Sequence, residues 1–102
     1  MQTLRSVEVE RLFKQGQSTS IGVVTLRFQK ISGEQCGISI LVPSKTIPTA
    51  VYRNKMRRQI REFVRKEYTK IQGARVAIIV RSKDIKQVKA DLVQALRKAG
   101  LS

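Results

Sequence analysis

The chain has 102 residues, with 21 Lys plus Arg against 7 Asp plus Glu, no His and one Cys, for a net charge of +14 and a pI near 11.0. That length suits one domain spanning 1–102. The missing His removes Ser-His-Asp triads, His-based acid–base pairs and Cys/His zinc sites. So large a cationic surplus repels itself, which points to a polyanionic partner, with nucleic acid ahead of an anionic membrane surface.

The longest apolar runs, 38–43 and 76–80, are strand-sized. They fall far short of the roughly 20 residues that a spanning helix needs. The Met1-Gln-Thr-Leu-Arg-Ser6 start lacks the apolar stretch of a signal peptide, so neither a membrane nor a secretory route is expected. The lone Cys36 has no partner for an internal disulfide, which fits a reducing, cytoplasmic setting. Cys36 reads as an inert thiol at a strand start, because no His is present to activate it.

In chain order, residues 6–15 form a short helix, with Ser6 as cap, Glu8 and Glu10 near its positive end, Val9, Leu12 and Phe13 on the inner face, and Gly16 as stop. Residues 16–20 read as polar loop. Residues 21–29 alternate as a strand, with Val24, Leu26 and Phe28 on one side and Thr25, Arg27 and Gln29 on a wet face. A turn at Ser32-Gly33-Glu34 would fold this strand as a hairpin onto a second one at 36–42, which Pro43 ends. After a loop carrying Lys45, Thr49 can cap a helix from about Ala50 to Lys70. Gly73 stops it, and Ala74–Arg81 is apolar enough to be a strand covered on both faces. Ser82 or Asp84 then caps a last helix, with Ile85, Val88, Leu92, Ala95 and Leu96 inward and Gly100 at its end. The order is helix, strand, strand, helix, strand, helix, with room for one more strand within the first two. That is an α+β sandwich with helices mainly on one side of a small mixed sheet.

The informative stretch is 53–66, in which seven of fourteen side chains are Lys or Arg and only Glu62 is acidic. On a helical wheel Met56, Ile60, Phe63 and Val64 share one arc, and Asn54, Arg57, Arg58, Arg61 and Arg65 share the neighbouring one. Arg57, Arg61 and Arg65 make a row about 12 Å long. Guanidinium groups bind phosphate bidentately, and Arg53 and Asn54 lie near the helix N-terminus, which also favours phosphate. The competing reading is a solvated face whose Arg stems cover apolar surface, with Glu62 pairing Arg58 and Lys66. A single carboxylate cannot neutralise so many cations, which favours phosphate binding. The cations of the last helix are spread around it and read as solvated charge. Phe63 and Tyr68 belong with the core, while Phe13 and, less so, Phe28 could stack on unpaired bases. The seven acids are scattered, with no converging set for a two-metal hydrolytic site and no Gly-rich phosphate loop.

The run Ser44-Lys45-Thr-Ile-Pro-Thr-Ala50-Val51-Tyr-Arg53-Asn54-Lys55-Met-Arg57-Arg58-Gln-Ile60-Arg61-Glu62 closely resembles the signature of the bacterial ribonuclease P protein subunit. Leu4-Arg5-Ser6 and Leu12-Phe13-Lys14-Gln15-Gly16 are similar to its opening helix, so the likeness covers nearly the whole chain. The resemblance implies an α-β-β-β-α-β-α domain with a left-handed crossover through the basic helix, against the usual right-handed preference. It implies binding of the catalytic ribonuclease P RNA, which cleaves precursor tRNA with Mg²⁺ to release the 5′ leader; the protein itself would supply no catalytic group and no metal site. Lys45, Arg53, Asn54, Lys55, Arg57, Arg58 and Arg61 match the RNA-contacting signature, and Arg65 extends the row. Phe13 matches an aromatic of a leader-binding cleft, and Val9 stands where a second aromatic is usual. Ile21-Gly22-Val23 lacks the basic and aromatic residues common there, Thr46 replaces a Lys, and Pro48-Thr49 replaces Gly-Asn. Extra residues between Gly37 and Ser44 suggest a longer strand or a bulge. The expected partners are ribonuclease P RNA and precursor tRNA, with no small-molecule substrate and no particular oligomer. A general or ribosomal RNA/DNA-binding protein of the same sandwich is the alternative, and a stand-alone nuclease a third reading.

Overall fold

The computed structural model describes residues 2–30, 37–67 and 73–101. Its elements are β1 (Gln2–Thr3), α1 (Ser6–Gln15), β2 (Gln17–Ile21), β3 (Val24–Lys30), β4 (Gly37–Leu41), α2 (Ala50–Glu67), β5 (Ala74–Val80) and α3 (Ile85–Lys98). Apart from the two-residue β1, this is the expected α-β-β-β-α-β-α order. The mixed sheet runs β1-β4-β5-β3-β2. β4 lies parallel to both β1 and β5, while β3 is antiparallel to β5 and β2. The parallel neighbours β4 and β5 are joined through α2.

Three expectations about the strands need correction. The hairpin between 21–29 and 36–42 does not form, because β5 inserts between β3 and β4. β5 is the most apolar strand, and a central position lets it bury both faces. The true hairpin is β2–β3, so the supposed loop at 16–20 is largely strand, paired from Gln17↔Phe28 to Ile21↔Val24. Its Ser and Thr side chains sit on a sheet edge, where no apolar alternation is required. Gly22 turns this hairpin at φ 53, and a Cβ there would overlap the Asp91 carboxylate. That carboxylate accepts the Val23 N–H at 3.0 Å and so ties α3 to the turn. Nor is there a bulge in β4, whose register with β5 is continuous from Gly37↔Arg75 to Leu41↔Ile79. The Ser32–Glu34 turn, Cys36, Tyr68 and the end of the basic helix towards Lys70 lie outside the described residues.

The helix ends follow simple chemistry. α1 is capped at Arg5 rather than Ser6, and the Glu8 carboxylate reaches back to the Arg5 N–H at 3.1 Å. Asp84 caps α3, accepting from the Lys86 and Gln87 N–H groups. α3 stops where Gly100 takes φ 75, with Leu101 N–H donating to Leu96 C=O and Gly100 N–H to Arg97 C=O.

α2 and α3 cover one face of the sheet. Met56, Ile60 and Val64 of α2 and Val88, Leu92, Ala95 and Leu96 of α3 pack on Val24, Leu26, Phe28, Ile38, Ile40, Val76, Ile78 and Val80. Each large side chain fully buried there contributes about 1.5–3 kcal/mol. α1 lies on the opposite face, where the buried cluster among the described residues is Leu4, Leu12 and Ala77, with Val9 packed beside it.

Candidate nucleic-acid interface

α2 is fixed by its apolar stripe, and that fixes where its cations point. Ile60 and Val64 are fully buried and Met56 nearly so, while Phe63 is half-buried, with the Lys89 ammonium 5.5 Å from its ring centre. The flank next to this stripe carries the expected row. Arg57 and Arg61 are half-buried at the stems, and Asn54, Arg58 and Arg65 are exposed. Arg57 donates to Asn54 Oδ1, and Arg61 Nη1 donates to Thr3 Oγ1 at 2.5 Å, so two guanidinium groups are held in place before any ligand arrives. Arg58, Arg61 and Arg65 line a notch of about 330 Å³ with Glu62. Among the described residues the ion pairs fall on Glu8, and none involves α2, so Glu62 pairs with neither Arg58 nor Lys66.

The remaining signature residues are distributed differently. Arg53 turns back to the approach loop, its Nη1 donating to the Ile47 and Pro48 carbonyls at 2.9 and 2.8 Å. That loop is further shaped by Thr46 and Ile47 N–H groups donating to Pro43 C=O, and by buried Ile47. Thr49 contributes its carbonyl, which accepts the Arg53 N–H at 3.0 Å. Lys45 is exposed in the loop. Lys55 points to the other flank of α2, beside α3. There a hollow of about 530 Å³ is lined by Tyr52, Lys55, Met56, Gln59, Lys83 and Ile85, among others. Sequence periodicity left Tyr52 and Lys83 without a role, because the hollow exists only once α3 begins beside α2.

The α1 side is built on a residue the sequence placed on a wet face. Arg27 Nη2 donates to Leu12 C=O at 3.3 Å and to Phe13 C=O, and its guanidinium carbon stands 5.5 Å from the Phe13 ring centre. Phe13 is therefore an exposed aromatic held under a guanidinium rather than a core residue, while Val9 is half-buried against Leu12. Phe28 is buried in the other face and cannot stack on a base there. Thr25 is buried, accepting from Arg81 Nη1 at 2.7 Å and bonded to Ser20 Oγ at 2.9 Å. Glu8 bridges Arg5 and Arg75, both at 3.4 Å. The Arg5 N–H above all, and then those two cations, hold its carboxyl below the ordinary value despite partial desolvation.

No His, Cys, Asp or Glu cluster able to hold a metal ion occurs among the described residues. The donors along α2 are cationic, so the residues present do not fit a protein-held Mg²⁺. Among the described residues no helix is long and apolar enough to cross a membrane.

A cationic helix seated on one face of a small mixed sheet, with α1 across the other, defines an α/β sandwich built to meet a polyanion. The chain belongs to the ribonuclease P protein family, whose model, described as ribonuclease P, matches residues 3–100. The fold is similar to that of the Staphylococcus aureus RNase P protein, with a TM-score of 0.87 and 23% identity over 99% of this chain and 97% of that one. It is also similar to the RNase P protein from Thermotoga maritima, with a TM-score of 0.81 and 26% identity over 96% and 97%. Among curated protein sequences, none matches significantly. Family membership makes the chain a protein subunit of the ribonuclease P endoribonuclease of tRNA 5′ maturation, with an RNA partner.

Proposed function

We propose that α2 anchors the catalytic RNA of ribonuclease P through Arg57, Arg58, Arg61 and Arg65, with Asn54, Lys55 and Lys45 at the margins. Arg53 shapes the approach loop and lends its charge. The observation that carries this reading is a rank of guanidinium groups on a tightly packed helix with no ion pair to it among the described residues. Phosphate is the ligand such a rank fits best. On the other face of the sheet, the surface of α1 meets the leader of precursor tRNA, with Phe13 as its aromatic and Val9 as an apolar neighbour. Mg²⁺ is used by the RNA, the single domain spans 1–102, and the complex works in the cytoplasm.

Two measurements on one preparation test this. Adding the protein to its cognate RNA at low Mg²⁺ is expected to increase precursor-tRNA cleavage. The Arg57→Ala/Arg61→Ala variant is expected to keep its melting profile, bind the RNA more weakly, and show a slope of log K against log salt shallower by about 1.5. The wild-type slope is expected near −4, for roughly five neutralised phosphates. Absence of any enhancement would remove the assignment, and cleavage by the protein alone would restore the nuclease alternative. An unchanged salt slope in a folded double variant would return the ridge to solvated charge.

A further inference from the structure

The hollow that the approach loop Thr46–Thr49, the first half of α2 and the start of α3 enclose is not accounted for by a row of phosphate clamps. It lies on the flank of α2 opposite Arg57 and Arg61, and its volume of about 530 Å³ falls within the range of small-molecule sites. Its walls differ in chemistry. Met56 and Ile85 supply an apolar floor, Tyr52 an aromatic face that is 61% exposed, Gln59 an amide, Lys55 a cation from α2 and Lys83 one from the β5–α3 connection. A large aromatic left in water beside two ammonium groups, above apolar side chains, matches an unpaired nucleotide. The base would stack on the ring, the amide would meet its polar edge, and the ammonium groups would take the flanking phosphates.

We propose that this hollow receives one unpaired nucleotide of the catalytic RNA, so that the RNA passes over the crest of α2 and grips both its flanks. This deepens the RNA-anchoring reading and rests on it. The catalytic RNA, rather than the tRNA leader, is the occupant because the hollow belongs to the α2–α3 face, whereas Phe13 and α1 lie across the sheet. Lys55, which the arginine row leaves on the wrong flank, thereby acquires a partner.

The test compares Tyr52→Ala, Tyr52→Phe and Lys83→Ala with the wild type in binding the cognate ribonuclease P RNA, alongside base-specific chemical footprinting. Exposure of Tyr52 means that the fold is expected to survive, which thermal melting checks. Tyr52→Ala is expected to weaken binding about tenfold or more, and Tyr52→Phe to bind nearly as the wild type, because a ring suffices for stacking. Lys83→Ala is expected to lower the salt slope by about one phosphate's worth. One unpaired base of the RNA should be protected by the wild type and by Tyr52→Phe but not by Tyr52→Ala. Unaltered affinity and footprint with Tyr52→Ala would overturn the proposal, as would protection appearing on precursor tRNA instead. If the Arg57/Arg61 double variant also left binding unaltered, the anchoring reading itself would have failed. Retention of the arginine effect with no Tyr52 effect would remove only the nucleotide site.

Discussion

The two faces of the sheet hold their helices by different means. α2 and α3 are fixed by a deep, continuous apolar core, and the cations that α2 presents have no acidic partner among the described residues. α1 rests on Leu12 against Leu4 and Ala77, and is otherwise secured by polar contacts from Arg27 and Arg75. A helix held by packing is a rigid platform, suited to a large structured RNA whose phosphates are spaced by its own fold. A helix held by a few charged bonds can shift at small cost, which would suit the proposed contact with an irregular single strand. The difference is one of stored burial, and it can be broken or sharpened by substitution.

The largest effect is expected in the core. Ile60 and Leu12 are both fully buried, one on each face. Ile60→Ala is expected to cost about 3–5 kcal/mol in denaturant unfolding, because a well-surrounded site cannot collapse around the cavity. Leu12→Ala, in a cluster of three, is expected to cost about 2–3 kcal/mol and mainly to free α1. Its RNA affinity and salt slope should stay near those of the wild type. Equal costs for the two, or loss of RNA anchoring in Leu12→Ala, would show that the faces are not independent.

A smaller effect should follow from cutting the polar latch. Arg27→Ala removes charged hydrogen bonds to the last turn of α1 and the cation over Phe13. About 1.5–3 kcal/mol is expected for bonds of that kind. The net loss should lie at the lower end, since Arg27 Nε is buried without a partner in the folded state and its desolvation is relieved. Amide exchange should accelerate in α1 and not in α2, and affinity should fall for precursor tRNA more than for the catalytic RNA. Uniform acceleration across both helices would deny Arg27 its local role.

This contrast also explains what could be read from the sequence. α2 was legible almost completely, because its apolar stripe and cationic flank recur with the helical period within eighteen residues. The caps at Asp84 and Gly100 are equally local. What escaped was non-local. Nothing within Gln17–Ile21 marks it as a strand, since its pairing belongs to β3 and its edge position permits polar side chains. The insertion of β5 between β3 and β4 is likewise a choice among pairings that local turn chemistry cannot rank. Arg27 looks like any solvent-facing position on an alternating strand until α1 is laid across it. Lys55 was assigned to RNA by the signature alone; its neighbours Tyr52 and Lys83 come together only through the α2–α3 packing.

The smallest effect separates charge from packing on the weaker face. The Glu8 carboxyl is held below its ordinary value of 4.5, chiefly by the Arg5 N–H and then by the Arg5 and Arg75 guanidinium groups. A depressed folded-state pKa means that the unfolded chain takes up the proton first. The stabilisation is therefore complete above 4.5 and disappears as pH falls through the lower folded-state value. Glu8→Gln keeps an oxygen for the Arg5 N–H but has no charge to lose. The melting temperature of the wild type should exceed that of Glu8→Gln at neutral pH, and the gap should close on acidification below 4.5. Salt should narrow the same gap at neutral pH, because both cations are reachable by solvent. Closure of the gap with no change in α2 amide exchange would place the electrostatic contribution on α1 alone. A gap that persisted in acid would mean that the charge of Glu8 is not its source, and the Arg5 and Arg75 pairs would then contribute little to holding α1.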